Sequence, residues 1–244
     1  MVDIKTHRSV QDSVYTNLRK NIMNLHLAPG TAISEKEISV RYKVSRTPVR
    51  ETFIHLAKEG LVKVIPQKET LVSLIDFSRV DQECFLRTNL EIGVLKPFIK
   101  NQPEKYFSYL EELITYQGNA FKHNDPVDFL KYDDAFHKTF FEGAHQELSW
   151  EVLESMSGHY HRARLLTVKI NEITEDIIKG HRDLFSAIKK KDFHGALTIL
   201  SKHLHKLDAE EKILREKFPE YFLPREQKDD FDIDFSDPPP RQRA

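Results

Sequence analysis

Residues 34–62, SEKEISVRYKVSRTPVRETFIHLAKEGLV, constrain the fold of this chain more than any other stretch. Ser34 followed three residues later by Glu37 is a capping-box signature, which starts a helix that runs to about Tyr42. Lys43 and Val44 supply a turn, and Ser45 stands where it can cap a second helix. Val49, Phe53, Leu56 and Ala57 give that helix one apolar stripe, with Gly60 near its end. Two short helices joined by a tight turn form a helix-turn-helix, whose second helix enters the major groove of DNA. Arg46, Thr47 and Arg50 lie off the stripe in the first turn and a half, the part of such a helix that reaches base edges. Lys36 and Arg41 are expected to clamp phosphates. Lys36, Arg41, Ser45, Arg46, Thr47 and Arg50 are therefore the expected DNA-binding residues. A solvated basic face is the plainer reading of any single arginine, but not of cap, turn, stripe and arginines together.

The flanks agree. Val14, Leu18, Ile22 and Leu25 recur at helical spacing, and Leu27-Ala28-Pro29-Gly30 then breaks the helix. Residues 61–65 and 70–74 read as two short strands around Pro66-Gln67-Lys68-Glu69, a β-wing whose tip could reach the minor groove. Charge is divided along the chain: residues 1–75 carry 12 Lys+Arg against 7 Asp+Glu, and residues 76–244 carry 25 against 31. A basic third fused to an acidic remainder places DNA contact in one part only. The lone Cys84 excludes a disulfide framework. No stretch approaches the roughly 18 apolar residues of a membrane span, and the N-terminus lacks a signal core, so a cytoplasmic protein is expected. Eight glycines in 244 residues, with no Walker loop or dinucleotide fingerprint, disfavour a nucleotide cradle.

From Asp76 to Phe218 the chain is helix-periodic, which makes the protein mainly α: a winged helix-turn-helix over 1–75 and an all-α antiparallel bundle over 76–218. Six helices are expected, at 77–101, 104–122, 125–142, 147–169, 172–190 and 192–217. Residues 219–244 are acidic and proline-ended, and are expected to be disordered or to order against a partner. The informative positions are polar residues on apolar stripes. Asp133 and His137 share one helix face among Phe129, Phe136 and Phe140. His181 and His203 interrupt two later stripes, whereas His161, His194 and His205 fall off theirs and read as exposed. Three histidines and a carboxylate facing one core have the chemistry for a divalent transition metal, zinc or nickel. A hydrogen-bonded core histidine is the plainer reading of each alone.

Leu27-Ala28-Pro29-Gly30, Ser34-Glu35-Lys36-Glu37, SRTPVRE at 45–51 and Glu59-Gly60-Leu61-Val62 resemble the winged helix of the GntR family of bacterial regulators. Glu69 replaces the usual wing-tip glycine, and Lys36 stands where arginine is common, a weaker bidentate reader. DDAFH at 133–137, HYHRAR at 159–164, Gly180-His181-Arg182 and Ala196 to Leu204 resemble the FCD ligand-binding domain that accompanies this winged helix in one GntR subfamily. The resemblance implies metal ligation by Asp133, His137, His181 and His203, and a small carboxylate effector held through the metal and nearby arginines. Arg87 and Arg164 are the candidates, with a structural ion pair to Glu91 as the alternative for Arg87.

The leading expectation is a homodimeric transcription regulator, a repressor by the commoner family mode. It binds double-stranded operator DNA and senses a small organic acid. One alternative keeps the DNA-binding domain and makes the bundle a metal-free acyl or lipid sensor. A metal-dependent hydrolase is disfavoured, because no general base accompanies the ligands and Glu142-Gly143-Ala144-His145 is the sole Glu-x-x-His of the kind dinuclear bundle enzymes use.

Overall fold

The computed structural model describes residues 10–65, 69–101 and 103–224. The N-terminal unit comprises α1 (Val10–Met23), β1 (Ala32–Ile33), α2 (Glu35–Tyr42), α3 (Arg46–Lys58), β2 (Val62–Val64) and β3 (Thr70–Val72). The capping box at Ser34 and Glu37 is present in both directions, and Lys43 ends α2 in a left-handed conformation at φ 55°. Ser45 occupies the N-cap position of α3, but its side chain makes no capping hydrogen bond. The stripes of α1, α2 and α3 close on one another and on Leu61, Val62 and Val72 as a separate apolar core.

Both wing strands are shorter than their apolar runs, because only residues 62–64 and 70–72 pair. The two-residue β1, absent from the sequence reading, pairs with β3 and gives the order β1-β3-β2. Pro66, Gln67 and Lys68 lie outside the described residues; Glu69 accepts a backbone bond from Ile65 across the wing.

The helical unit begins with α4 (Phe77–Lys100), capped by Asp76, and continues through α5 (Phe107–Lys122), α6 (Pro126–Gly143), α7 (Glu147–Met156), α8 (Gly158–Thr167), α9 (Asn171–Lys189), α10 (Phe193–Leu204) and α11 (Lys206–Lys217). Helix α4 is central, packing on α6, α8 and α10. Among the described residues, no helix is long and apolar enough to cross a membrane.

Two expected helices are divided. The one placed at 147–169 breaks at Ser157, whose hydroxyl donates back to the Leu153 carbonyl at 2.5 Å. The break lets α8 start against the winged helix, where a side chain on Gly158 would meet Leu61 at 2.8 Å. The helix placed at 192–217 breaks at His205, whose ring Nδ1 lies 2.8 Å from the Ser201 carbonyl. The helix placed at 104–122 opens as a 3-10 turn over Pro103–Tyr106.

The expectation of disorder from residue 219 is also corrected. Pro219–Tyr221 form a 3-10 turn and Phe222 bridges Ile75, stacking on Phe77 at 4.9 Å. Residues 225–244 of that expected tail lie outside the described residues.

Candidate metal and effector site and DNA-binding face

Four side chains from three directions meet in the helical unit. Asp133 and His137 project from α6, one turn apart, with His181 from α9 and His203 from α10. One donor atom from each lies within 4.8 Å of all the others. His203 Nε2 is 3.2 Å from both His137 Nε2 and His181 Nε2. Asp133 presents Oδ1 to His181 Nε2 at 3.5 Å and Oδ2 to His137 Nε2 at 3.8 Å. Phe136 stacks on the His181 ring at 4.5 Å and walls the cluster from the bundle core.

The partners of the outer ring nitrogens explain why these edges converge. His137 Nδ1 lies 2.6 Å from Glu91 Oε2, and His181 Nδ1 lies 2.7 Å from Gln117 Oε1. Each acceptor fixes the proton on Nδ1, which leaves the Nε2 lone pair facing inward. Burial, reinforced by neighbouring histidines and arginines, keeps His181 well below its usual range. Burial and His137 push His203 down to about 3. Burial pushes Asp133 up, but Arg164, His137, His203 and Arg87 outweigh it and hold the carboxylate ionised. Three imidazoles and a carboxylate, with His203 Nε2 at 3.2 Å from each of the other two rings, form a donor set that fits a divalent transition metal.

Both sequence-selected arginines border this cluster, and both are already paired. Arg164 donates to Asp134 at 2.7 Å and to Asp133. Arg87 Nε bonds Glu91 at 2.6 Å, and its other nitrogens lie 3.6 Å from Asp134 and 4.0 Å from Asp133. The ion pair with Glu91 and the approach to the cluster thus coexist. The reading of His161 as an exposed residue is corrected: it is held 3.7 Å from Asp134 with 19% of its side chain accessible, because α8 starts one residue beyond the Ser157 break and turns that face inward. Burial lowers it to about 4. His194 and His205 are exposed.

A cleft of about 530 Å³ opens beside Arg87, Asp134, His161 and Arg164. Its opposite wall is α1 of the winged helix, through Tyr15, Arg19 and Lys20. Arg19 is shared between units: Nε donates to Glu59 Oε2 at 2.7 Å and Nη2 to the Glu154 carbonyl at 3.1 Å. Tyr15 donates to the same Glu59, the C-cap residue of α3, at 2.5 Å.

Lys36, Arg41, Ser45, Arg46, Thr47 and Arg50 are all exposed, the first two on α2 and the last four at the start of α3. Arg50 is pre-oriented by a two-pronged bond to Glu35 of α2, at 3.0 and 3.2 Å.

Four residues bearing on the cluster escaped sequence reasoning as site residues: Glu91, Gln117, Asp134 and His161. Gln117 carried a usable signal, since it interrupts an α5 face of Leu110, Leu113, Ile114 and Ala120.

Comparisons with known proteins match both units of the chain. Residues 10–72 match the family described as bacterial regulatory proteins, gntR family, and residues 84–206 match the FCD domain. The chain is 32% identical over 213 residues to the HTH-type transcriptional repressor RspR of Escherichia coli K12, covering 87% of this chain and 93% of that one. It is 26% identical over 202 residues to the gluconate operon transcriptional repressor of Bacillus subtilis, covering 80% and 82%. Among solved structures, Escherichia coli McbR/YncC superposes with a TM-score of 0.71 at 20% identity, over 86% of this chain and 99% of the other, a likeness of fold.

Proposed function

From the premise that this chain belongs to the gntR family of bacterial regulators and carries an FCD domain, we propose a repressor that senses a small organic acid through a metal. It is a DNA-binding transcription regulator and not an enzyme. One observation supports the finer reading, the convergence of three imidazole nitrogens and the Asp133 carboxylate, with Arg164 bonded to Asp133 and also lining the neighbouring cleft beside Arg87. Asp133, His137, His181 and His203 would hold the ion, zinc or nickel by its nitrogen-rich donors. Bound there, it supplies a Lewis-acidic centre for a carboxylate. Arg164 and Arg87 orient that carboxylate from the side, while Phe136 and the bundle core exclude water behind it. The charged floor of the cleft suits an organic acid and is a poor lining for an acyl chain.

The cleft also supplies a route from effector to DNA. Its outer wall belongs to α1, and Arg19 ties the end of the recognition helix α3 to the helical unit. An anion that draws Arg19 away from Glu59 favours a different placement of the winged helix, and that difference in affinity is the switch. Two such chains, paired as a homodimer on a pseudo-palindromic operator, would read one half-site each with Lys36, Arg41, Ser45, Arg46, Thr47 and Arg50.

The test is a thermal-shift screen of small carboxylic acids on metal-loaded and chelator-stripped protein. An acid at 100 times its Kd adds about 2.7 kcal/mol. Stabilisation of the metal-loaded form alone is the expected result; equal responses with and without metal would remove the metal from the sensor.

A further inference from the structure

A second cleft, of about 600 Å³, lies at the foot of the wing and is unrelated to the metal cluster. Leu71, Leu74 and Leu223 give it an apolar floor, and Lys58, Lys63 and Arg79 line it with positive charge. Lys58 and Lys63 are exposed and form no ion pair among the described residues. Arg79 reaches Glu83 at 3.3 Å through Nη2, but its buried Nε has no hydrogen-bond partner among the described residues. An apolar trough bordered by Lys58, Lys63 and Arg79, with Asp76 also in its lining, suits a segment that alternates apolar and acidic side chains.

The chain carries such a segment, and its described residues end beside this cleft at Leu223 and Pro224. Residues 229–237 read DDFDIDFSD, five aspartates with Phe231, Ile233 and Phe235 between them and no basic residue. In an extended segment this alternation would put the apolar side chains on one face and Asp230, Asp232 and Asp234 on the other. The route to the cleft is fixed at its start. Ile75 donates to the Tyr221 carbonyl at 2.8 Å and accepts from the Leu223 amide at 2.9 Å, while Arg215 holds the Leu223 carbonyl at 2.7 Å. Leu223, itself part of the cleft lining, stands six residues before Asp229, a tether of up to about 20 Å.

We propose that residues 229–237 of this chain dock in the cleft at the foot of the wing, with their aromatic and aliphatic side chains on Leu71 and Leu74 and their carboxylates on Lys58, Lys63 and Arg79. Docked there, the segment joins the wing to the helical unit and withdraws two lysine charges of the winged helix from DNA phosphates.

Hydrogen exchange on the full chain tests this. The variant D229N/D230N/D232N/D234N should exchange amides of residues 57–64 and 70–74 roughly tenfold faster than the parent, with α9 and α10 unchanged. The variant K58E/K63E should do the same, and adding D230K/D232K to it should restore protection. Identical exchange in parent and asparagine variant would overturn the proposal. So would protection that grows with protein concentration, which would assign the cleft to a second copy.

Discussion

His159 gives the sharpest residue-level prediction, because it is buried at the seam between the two units. Its Nδ1 accepts from the Asp76 amide at 3.0 Å, and its Nε2 lies where a side chain on Gly60 would meet it at 3.2 Å. Gly60 takes φ +74°, which a residue without Cβ tolerates. Burial, then Arg162 and Arg79, lower the His159 pKa from 6.5 to about 3. The unfolded chain therefore binds a proton that the folded chain refuses. The contribution is fully present above pH 6.5 and is lost as pH falls toward 3. At pH 5 the loss from this residue is about 2 kcal/mol. Denaturant titrations from pH 7 to 5 should show a shallower fall for His159→Gln, by about one proton's slope. Gln117 supports a second prediction. Its amide nitrogen is buried with no hydrogen-bond partner among the described residues, so its part in the cluster is played by the oxygen that orients His181. Gln117→Met should weaken zinc or nickel binding roughly 10- to 100-fold by calorimetry and leave the unfolding midpoint of stripped protein nearly unchanged. Asp133, His137, His181 and His203 were legible in the sequence because each is polar on an apolar stripe. Glu91 was not, since a carboxylate one turn from Arg87 reads equally as a local ion pair, nor was Asp134, whose arginine partners Arg87 and Arg164 are brought to it only by the fold.

At the scale of the element, α2 and α3 were almost fully legible, because capping, turn and stripe signals are local. Ser34→Ala removes the cap bond to the Glu37 amide and should cost about 1 kcal/mol, read as a lower thermal midpoint. Arg46→Ala and Arg50→Ala should abolish operator-specific gel shifts while far-ultraviolet circular dichroism stays at the parent value; specific shifts at parental strength would refute their role. Arg50→Ala also frees Glu35, leaving an uncompensated carboxylate beside the start of α3. The breaks at Ser157 and His205 were illegible for a physical reason. Neither carries proline or a strong capping bond, and the Ser157 break is set by the approach of Gly158 to Leu61, a contact remote in sequence. The β1 strand was missed likewise, being two residues long and defined only by its partner β3.

Across the whole molecule, the contact between the units matters most. Arg162 is fully buried and reaches the Ser73 carbonyl of the winged helix at 2.6 Å, and the start of α8 that carries it is held within the helical unit by Glu83, which accepts the amides of His159 and Tyr160 at 2.9 and 2.8 Å. These bonds make the seam a fixed pivot, and Arg19 is the more accessible tie on the effector side. Arg19→Gln should leave operator affinity without effector within about threefold of the parent and reduce the effector-induced change in affinity, measured by fluorescence anisotropy, roughly tenfold. An unaltered effector response would show that coupling bypasses α1. The clip between Ile75 and Phe222 has a separate implication. Because it sets the two ends of the helical unit side by side, residues 75–224 form a cassette whose two ends meet at one point. Such a unit can be permuted with a short linker across the clip without moving the cluster of Asp133, His137, His181 and His203, whereas the cleft wall that α1 supplies stays with the winged helix.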